Sequence, residues 1–259
     1  MIMIEFKNVS YTYFNNFYTL FNFSYTFDEG NYCLIGDYDC GNLTLIRLLA
    51  KLDYFYKGEI LINGKSLKKV DYKKEFNIAY IPQTPVFFNN KSVKYNLTYP
   101  LSARGIKKDV INQIVSNVLQ KYNWQDKAKL KIKTLTKTER QILAIMRADT
   151  RPLDLLLVED IFSTDNSTDN ININNASTSQ SNITSSLDTT SFNVKHTNNI
   201  EISSNITNSF DAKNQNLYIK LINNLSAKTK IIISKENVAF ENFKQLNLNV
   251  SKIENKPQN

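Results

Sequence analysis

Residues Gly36 to Thr44 have the position and the glycine spacing of a loop that binds phosphate groups. The run reads Gly-Asp-Tyr-Asp-Cys-Gly-Asn-Leu-Thr, so that four residues separate Gly36 from Gly41. It follows the short apolar run at 32–35 and leads into the apolar-rich run at 45–50. Glycines between a strand and a helix let backbone N–H groups converge on phosphate oxygens at the helix N-terminus. The spacing therefore predicts a phosphate-binding loop.

The side chains of this loop differ from those that phosphate chemistry requires. A phosphate loop places Lys and then Ser or Thr after its second glycine, whereas this chain has Asn42 and Leu43. An amide carries no charge, and a leucine cannot ligate a metal. Thr44 has a hydroxyl but lies one position further, roughly 100° around a helix. Asp37 and Asp39 add two carboxylates where a polyanion would lie, which opposes its binding.

Length and composition are those of an ordinary globular chain. Its 259 residues are enough for one α/β domain or two small ones, and an apolar content of 42% allows a sizeable core. No apolar run reaches the roughly 18 residues of a membrane span, and residues 1–5 lack the pattern of a signal peptide. Cys33 and Cys40, the two cysteines, form no metal-binding pattern. We therefore expect a cytosolic chain with free thiols.

The net charge of +8 is compatible with a nucleic-acid or anionic-membrane partner. The lysines are spread along the whole chain and do not form an arginine-rich or aromatic-interleaved cluster. We therefore expect no nucleic-acid partner.

The order of predicted elements indicates an α/β fold with a parallel sheet. Short apolar or alternating runs that end at turn residues predict strands at 2–13, 20–27, 32–35, 58–64, 78–81, 155–158 and 230–234. Helices are expected within 36–52 and at 92–97, 107–122, 136–148 and 217–225. The antiparallel-looking segments 1–30 and 58–64 predict a flanking β layer. A helical subdomain is expected at about residues 85–150.

Three local patterns predict a turn, a helix start and the apolar face of a helix. Asn63 and Gly64 predict a hairpin turn. Thr136 and Glu139 form a capping box at the start of a helix. The helix at 107–122 has apolar residues near helical spacing at Val110, Ile114, Val118 and Leu119.

Residues 163–215 interrupt this pattern, because Ser, Thr and Asn dominate them. Such a segment buries too little surface to offset its ordering entropy, which predicts a disordered insertion in a surface loop. The folded domain would comprise 1–162 and 216–259. His196, the one histidine, lies in the insertion and receives no role.

Six landmarks, in order, resemble the ATP-binding cassette family, the nucleotide-binding subunits of ABC transporters. They are Tyr13 as the aromatic residue on adenine, 36–44 as Walker A, Gln83 as the Q-loop, 135–148 as the signature segment and its helix, 155–160 as Walker B, and 231–236 as the strand before the switch histidine. The resemblance covers about residues 2–165 and 216–240. It implies a P-loop NTPase-like fold, ATP and Mg²⁺ as cofactors, and ATP hydrolysis. It also implies a membrane permease and a second cassette as partners, at the cytoplasmic face of a membrane.

The resemblance also implies roles for single residues. Nucleotide contacts would come from Tyr13, Gly36, Asp37, Tyr38, Asp39, Cys40, Gly41, Asn42, Leu43, Thr44 and Gln83. The signature residues would be Leu135, Thr136, Lys137, Thr138 and Glu139, the last placing a carboxylate near the partner's nucleotide. Glu159 and Gln83 would hold Mg²⁺, while Asp160 and Lys235 occupy the general-base and switch-histidine positions.

Most of these positions carry altered chemistry. The Walker B acids are exchanged, and Asp160 is one methylene shorter than the glutamate of a general-base position. Lys235 cannot accept a hydrogen bond while protonated. Lys137 and Thr138 replace two glycines that would let the backbone approach a phosphate. We expect ATP binding and hydrolysis to be weak or lost.

Each of these residues also has a purely structural interpretation. Gly36 and Gly41 suit a tight turn, and Tyr13 suits a surface or core position. Gln83 suits a polar loop, and the pair 159–160 suits a helix cap.

The favoured function is a cassette-like subunit that docks on a permease through the region around Gln83 to Pro100, with ATP chemistry weak or lost. Three alternatives stay open: an active ATPase with non-consensus residues, a non-catalytic regulatory or interaction subunit, and a product of gene decay. In the family that the chain resembles, the membrane subunits and binding proteins choose the substrate.

Overall fold

The computed structural model describes residues 2–14, 17–36, 40–72, 74–161, 212–234, 240 and 242–247. Asp37, Tyr38, Asp39 and Lys235 lie outside the described residues. The predicted insertion also lies outside them, except for its last four positions, which belong to a helix that begins at Ala212.

Nine strands and five α-helices are described. In chain order they are β1 Ile4–Phe14, β2 Phe17–Phe27, β3 Asn31–Ile35, α1 Asn42–Leu49, β4 Lys57–Ile62, β5 Lys65–Ser66, β6 Ile78–Ile81, α2 Val93–Ser102, α3 Lys108–Lys121, α4 Lys137–Ala148, β7 Leu153–Val158, α5 Ala212–Asn223, β8 Ala227–Ser234 and β9 Lys244–Asn247. Short 3₁₀ turns lie at Leu67–Lys69 and Ile132–Thr134.

A parallel sheet and an antiparallel sheet form the framework. The parallel sheet has the strand order β6-β7-β8-β3-β9, and β7 lies inside it with apolar residues on both faces. The antiparallel sheet has the order β2-β1-β4-β5, and its last two strands meet at the Asn63–Gly64 turn. The predicted α/β class and the flanking β layer are confirmed.

The edge strand β9 was not expected from the sequence. It reads Lys-Gln-Leu-Asn and pairs in parallel with β3, so that Leu34 lies opposite Leu246. Only one of its four residues is apolar, so it shows no recognisable strand period. Such a segment can still form a strand because an edge strand needs little burial.

The helices α2, α3 and α4 follow one another between β6 and β7. The capping box is confirmed, because Thr136 Oγ1 accepts a hydrogen bond from the N–H of Glu139 and the carboxylate of Glu139 accepts one from the N–H of Thr136. The predicted apolar face of α3 was wrong at Val110, which is 45% exposed. The buried face instead follows i, i+4, i+7, i+8 through Ile111, Val115, Val118 and Leu119.

The parallel sheet separates two hydrophobic cores. Leu155 and Leu157 of β7 pack with α1 and the antiparallel sheet. Leu156 and Val158 face the opposite core, which α2 to α5 cover. Because side chains alternate along a strand, the residues that directly follow β7 also point to alternate sides of the sheet.

Within the described residues, no helix is both long enough and apolar enough to span a membrane.

Candidate functional site

The segments after β3, β6 and β7 meet at one edge of the parallel sheet, as the carboxyl ends of parallel strands do. The N–H of Gly36 binds the carbonyl of Ser234 at 3.4 Å, which places the start of the phosphate loop beside the end of β8. The N–H of Glu159 binds the carbonyl of Ile81 at 2.9 Å. The structure therefore brings together the regions of Gly36, Gln83 and Glu159 that the sequence had linked.

Two glycines shape the described ends of the loop. Gly41 precedes α1 with a φ of 90°, a left-handed conformation that favours glycine. At Gly36 a Cβ atom would lie 2.7 Å from Cys40 Sγ and 3.3 Å from Asn42 Nδ2. Residues 36, 40 and 42 thus lie close together, and a side chain at Gly36 would require the Cys40 side chain to move.

Asn42 lies at the first position of α1, where a phosphate loop has its lysine. Its side chain is 2% exposed. Among the described residues, neither Nδ2 nor Oδ1 has a hydrogen-bond partner. A buried amide without partners is destabilising by about 1–3 kcal/mol, and it brings no positive charge to the loop. Leu43 is half-buried and packs against the core beneath α1.

Thr44 bonds to Tyr13 at the end of β1. Its Oγ1 donates to the Tyr13 hydroxyl oxygen at 3.4 Å, and the Tyr13 hydroxyl donates to Asp53 Oδ2 at 3.2 Å. Arg47 binds both oxygens of Asp53, with Nε–Oδ2 at 2.9 Å and Nη2–Oδ1 at 3.3 Å. The carboxylate that accepts these bonds raises the pKa of Arg47. Asp53 and Arg47, which have no sequence signal, thus extend the contact of Tyr13 and Thr44 into one hydrogen-bonded group.

Glu159 extends toward β6. Its Oε1 accepts a hydrogen bond from the Tyr80 hydroxyl, and its Oε2 accepts one from the N–H of Gln83 at 2.8 Å. Burial raises the pKa of Tyr80, and its hydrogen bond to Glu159 raises it further. Glu159 therefore holds the backbone at Gln83, while Tyr80 is a further site residue without a sequence signal.

Asp160 lies on the other side of the sheet from Glu159. It is 6% exposed and lies near Cys33 in the core under α4 and α5, whereas Tyr80 packs against the core under α1. Burial raises the pKa of Cys33 to about 12, and the negative charge of Asp160 contributes. The two acids predicted to share one site therefore have different surroundings. Cys33 and Cys40 are free thiols, as expected.

The signature segment forms the start of α4. Leu135 and Thr138 are buried, and Lys137 is exposed. Glu139 Oε1 lies 2.6 Å from Lys127 Nζ. Burial would raise the pKa of Glu139, but the bonds from Lys127 and from the N–H of Thr136 outweigh it and leave that pKa below its usual value. The Glu139 charge is thus balanced within the chain.

Magnesium takes oxygen ligands, and three of the described side chains near the predicted magnesium site either have no oxygen or have oxygens that already take part in hydrogen bonds. Leu43 has none, the Thr44 hydroxyl bonds to Tyr13, and both oxygens of Glu159 accept hydrogen bonds. In the part of the chain that the structure describes, no three His, Cys, Asp or Glu residues form a metal-binding group.

An exposed aromatic cluster follows Gln83 in the chain. We name it the aromatic surface, and it consists of Phe88, Tyr95 and Tyr99. The Phe88 ring lies 5.7 Å from that of Tyr95 and 4.9 Å from that of Tyr99, and the three side chains are 36–47% exposed. Buried Asn96 fixes the Phe88 backbone, accepting from its N–H at 2.9 Å and donating to its carbonyl at 3.3 Å.

A groove of about 510 Å³ lies beside the aromatic surface, between α2 and α3. Tyr95, Ile106 and Ile111 supply apolar lining, and Lys94 and Lys108 supply positive charge. The described residues that line it include no carboxylate. This part of the molecule therefore offers an apolar and basic surface.

The family model and the similar curated proteins indicate the same family. A family model described as ABC transporter matches residues 20–163, more than half of the chain. The spermidine/putrescine import ATP-binding protein PotA of Pseudomonas aeruginosa (strain UCBPP-PA14) is 33% identical over 165 residues, which are 63% of this chain and 45% of that protein. The methionine import ATP-binding protein MetN 3 of Oceanobacillus iheyensis is 31% identical over 169 residues, 62% of this chain and 50% of that protein. The chain spans about half the length of these curated relatives.

A solved structure supports the fold. CbiO1 from Clostridium perfringens, described as part of the ABC transporter complex cbiONQ, superposes with a TM-score of 0.60 at 14% identity. The match covers 90% of this chain and 78% of that one. At this identity the likeness concerns the fold alone, with its parallel sheet, antiparallel layer and helices.

Proposed function

Because the chain belongs to the ABC transporter family, we propose that it is the cassette subunit of an import system, docking on a membrane permease with weak or lost ATP binding and hydrolysis. Its relatives are named as import ATP-binding proteins, which supports the import role. The permease would hold the chain at the cytoplasmic face of the membrane, with a second cassette as a further partner.

The observation that carries the proposal is the exposed aromatic surface that follows Gln83 in the chain. Large aromatic side chains that remain exposed in a cluster are typical of protein interfaces. Since Glu159 holds the N–H of Gln83 and Asn96 holds Phe88, the segment between them is anchored at the nucleotide site and at the aromatic surface. A permease segment bound here would contact the helical subdomain, about residues 85–150, and would lie close to the altered nucleotide site.

The altered ATP chemistry is supported by the surroundings of three side chains. Asn42 supplies no cation, and Leu43 supplies no ligand. The carboxylate of Glu159 is engaged by Tyr80 and Gln83. These features favour a subunit whose contribution is docking, so a non-catalytic regulatory subunit is the second candidate.

Docking can be tested by co-expressing the chain with the permease subunit encoded closest to it and capturing the complex in detergent. Phe88→Ser together with Tyr99→Ser should reduce the captured permease at least about tenfold, because anchors of this kind contribute most of an interface's energy. Phe55→Ser is the matched control, since Phe55 is 94% exposed but lies outside the aromatic surface. Equal capture by the double variant and the control would contradict the docking proposal.

A further inference from the structure

We propose that Arg104 and Arg151 form a binding site for a small, doubly charged oxyanion such as a phosphate group, at the edge of the parallel sheet opposite to Gln83 and Glu159. Arg104 lies in the turn after α2, and Arg151 lies between α4 and β7. The four residues of β6 separate the two edges of the sheet by roughly 13 Å. The site goes beyond the proposed function, because it requires neither a nucleotide nor a permease.

Both guanidinium groups bond to consecutive residues where β6 begins. Arg104 Nη1 donates to Asn77 Oδ1 at 3.2 Å, and its Nη2 donates to the carbonyl of Tyr72 at 3.4 Å. Arg151 Nη2 donates to the carbonyl of Ile78 at 2.8 Å. The two arginines come from separate parts of the chain and thus converge on Asn77 and Ile78.

Neither arginine forms an ion pair with any residue that the structure describes. The acids on the neighbouring segments have other partners. Asp154 of β7 pairs with Lys228 at 2.7 Å and also accepts the N–H of Asn77 at 2.8 Å. Glu75, on the segment before β6, pairs with Lys65 at 2.7 Å. The two positive charges therefore lack the carboxylates that usually accompany a partly buried arginine.

The surroundings of Arg151 favour a bound anion. Its side chain is partly buried, and its Nε has no hydrogen-bond partner among the described residues. Burial lowers the pKa of Arg151 to about 10, and the positive charge of Arg104 contributes. Two like charges held close together in a partly buried place are destabilising unless an anion compensates them. An oxyanion bound by both side chains would do so, and it would supply an acceptor for Nε.

The shape and charge of the guanidinium group indicate the class of ligand. A guanidinium is a planar fork that binds oxyanions through two parallel N–H···O hydrogen bonds. A phosphate group carries about two negative charges near neutral pH and has enough oxygens to bind two forks. A carboxylate carries a single charge, so it compensates only one of the arginines. We therefore expect phosphate to bind at least about tenfold more tightly than acetate.

The test is an NMR titration of the full chain with inorganic phosphate, phenyl phosphate and acetate at constant ionic strength. The chain has five arginines, so that few Nε–H signals need to be assigned. Phosphate should shift the Arg151 Nε–H signal and saturate with a dissociation constant of about 1 mM or less. A similar affinity for phenyl phosphate would support a phosphate monoester as the ligand, whereas binding of inorganic phosphate alone would support the free ion.

Variants of the two arginines separate the site from general charge effects. Arg104→Gln and Arg151→Gln should each weaken phosphate binding at least about tenfold, because each removes charge-assisted hydrogen bonds. Arg104→Lys keeps the charge but loses the fork, so it should weaken binding about threefold. It also provides a second measurement if a glutamine variant does not fold. Lys57→Gln is the control, because it removes one positive charge at an exposed position of β4.

Phosphate binding that is equally strong in the natural chain and in both glutamine variants would overturn the inference. An Arg151 Nε–H signal that does not respond to phosphate would also overturn it, as would equal affinities for phosphate and acetate. These results would leave the proposed function intact, because permease capture tests that function on a different surface.

Discussion

The hydroxyl of Tyr80 and the carboxylate of Glu159 form a hydrogen bond that joins the ends of β6 and β7 at the carboxyl edge of the parallel sheet. The second carboxylate oxygen of Glu159 accepts the N–H of Gln83 at 2.8 Å. Glu159 therefore stabilises the segment that leads to the aromatic surface, in addition to its place at the Walker B position.

We predict that Tyr80→Phe lowers the free energy of unfolding by about 1–2 kcal/mol, because the carboxylate loses a hydrogen bond from a half-buried donor. In a double-mutant cycle with Glu159→Ala, urea unfolding should give a coupling energy of about 1–2 kcal/mol. Tyr54→Phe, at a residue that is 61% exposed, should change stability by less than about 0.5 kcal/mol. Additive effects of Tyr80→Phe and Glu159→Ala would show that the bond does not stabilise the chain.

The ion pair of Glu139 and Lys127 should make stability depend on pH. The pKa of Glu139 is lowered in the folded chain, so its contribution is complete above the unfolded value of 4.5 and is lost as the pH falls through the lower, folded value. Glu139→Gln should lower the free energy of unfolding by about 1 kcal/mol near neutral pH. Thermal unfolding should show that this difference shrinks in acid. A stability difference of the same size at every pH would contradict a stabilising role of the Glu139–Lys127 ion pair. Glu59→Gln, at an exposed glutamate, serves as the control.

Asn96 should be important for the aromatic surface although it is not part of it. It is 3% exposed, and its amide bonds the backbone of Phe88 and of Ser92. Asn96→Ala removes three hydrogen bonds and leaves the N–H of Phe88 without its side-chain acceptor, so we expect a loss of about 1–3 kcal/mol in urea unfolding and weaker permease capture. Asn117→Ala, at an exposed asparagine of α3 outside the groove, should change neither by a measurable amount. Equal stability of Asn96→Ala and its control would contradict a role for Asn96 in holding the Phe88 backbone.

Gly58 and Gly64 offer a matched comparison of backbone strain and steric clash. Both have positive φ angles, 84° and 75°. A Cβ atom at Gly58 would lie 2.3 Å from the carbonyl oxygen of Asn8, whereas one at Gly64 would have no neighbour within 4 Å. Gly64→Ala should therefore cost about 1 kcal/mol of strain, and Gly58→Ala clearly more, above about 2 kcal/mol. Similar melting temperatures for the two variants would contradict this prediction.

Sequence patterns predicted those strands and helices whose formation depends on one continuous segment. Apolar runs predicted the strands β6, β7 and β8, and Thr136 with Glu139 predicted the start of α4. The edge strand β9 was missed because it carries a single apolar residue. On α3 the first two apolar positions were assigned one residue early, at Val110 and Ile114, whereas the buried residues there are Ile111 and Val115.

The side-chain contacts of the site were beyond the reach of sequence patterns. Tyr13 and Asp53 are 40 residues apart, and Tyr80 and Glu159 are 79 residues apart. Their hydrogen bonds depend on how separate elements pack, and no local spacing encodes this. Landmark order could therefore predict that the loops meet, but could not predict that Thr44 and Glu159 bond to other side chains.

The most direct test of the altered nucleotide site is a calorimetric titration with MgATP, with phosphate release measured on the same protein. The natural chain should bind with a dissociation constant above about 100 μM and release no phosphate above background, because its loop lacks a cation and a metal ligand. Asn42→Lys combined with Leu43→Ser should raise the affinity by at least about tenfold. Micromolar binding with hydrolysis by the natural chain would contradict the account.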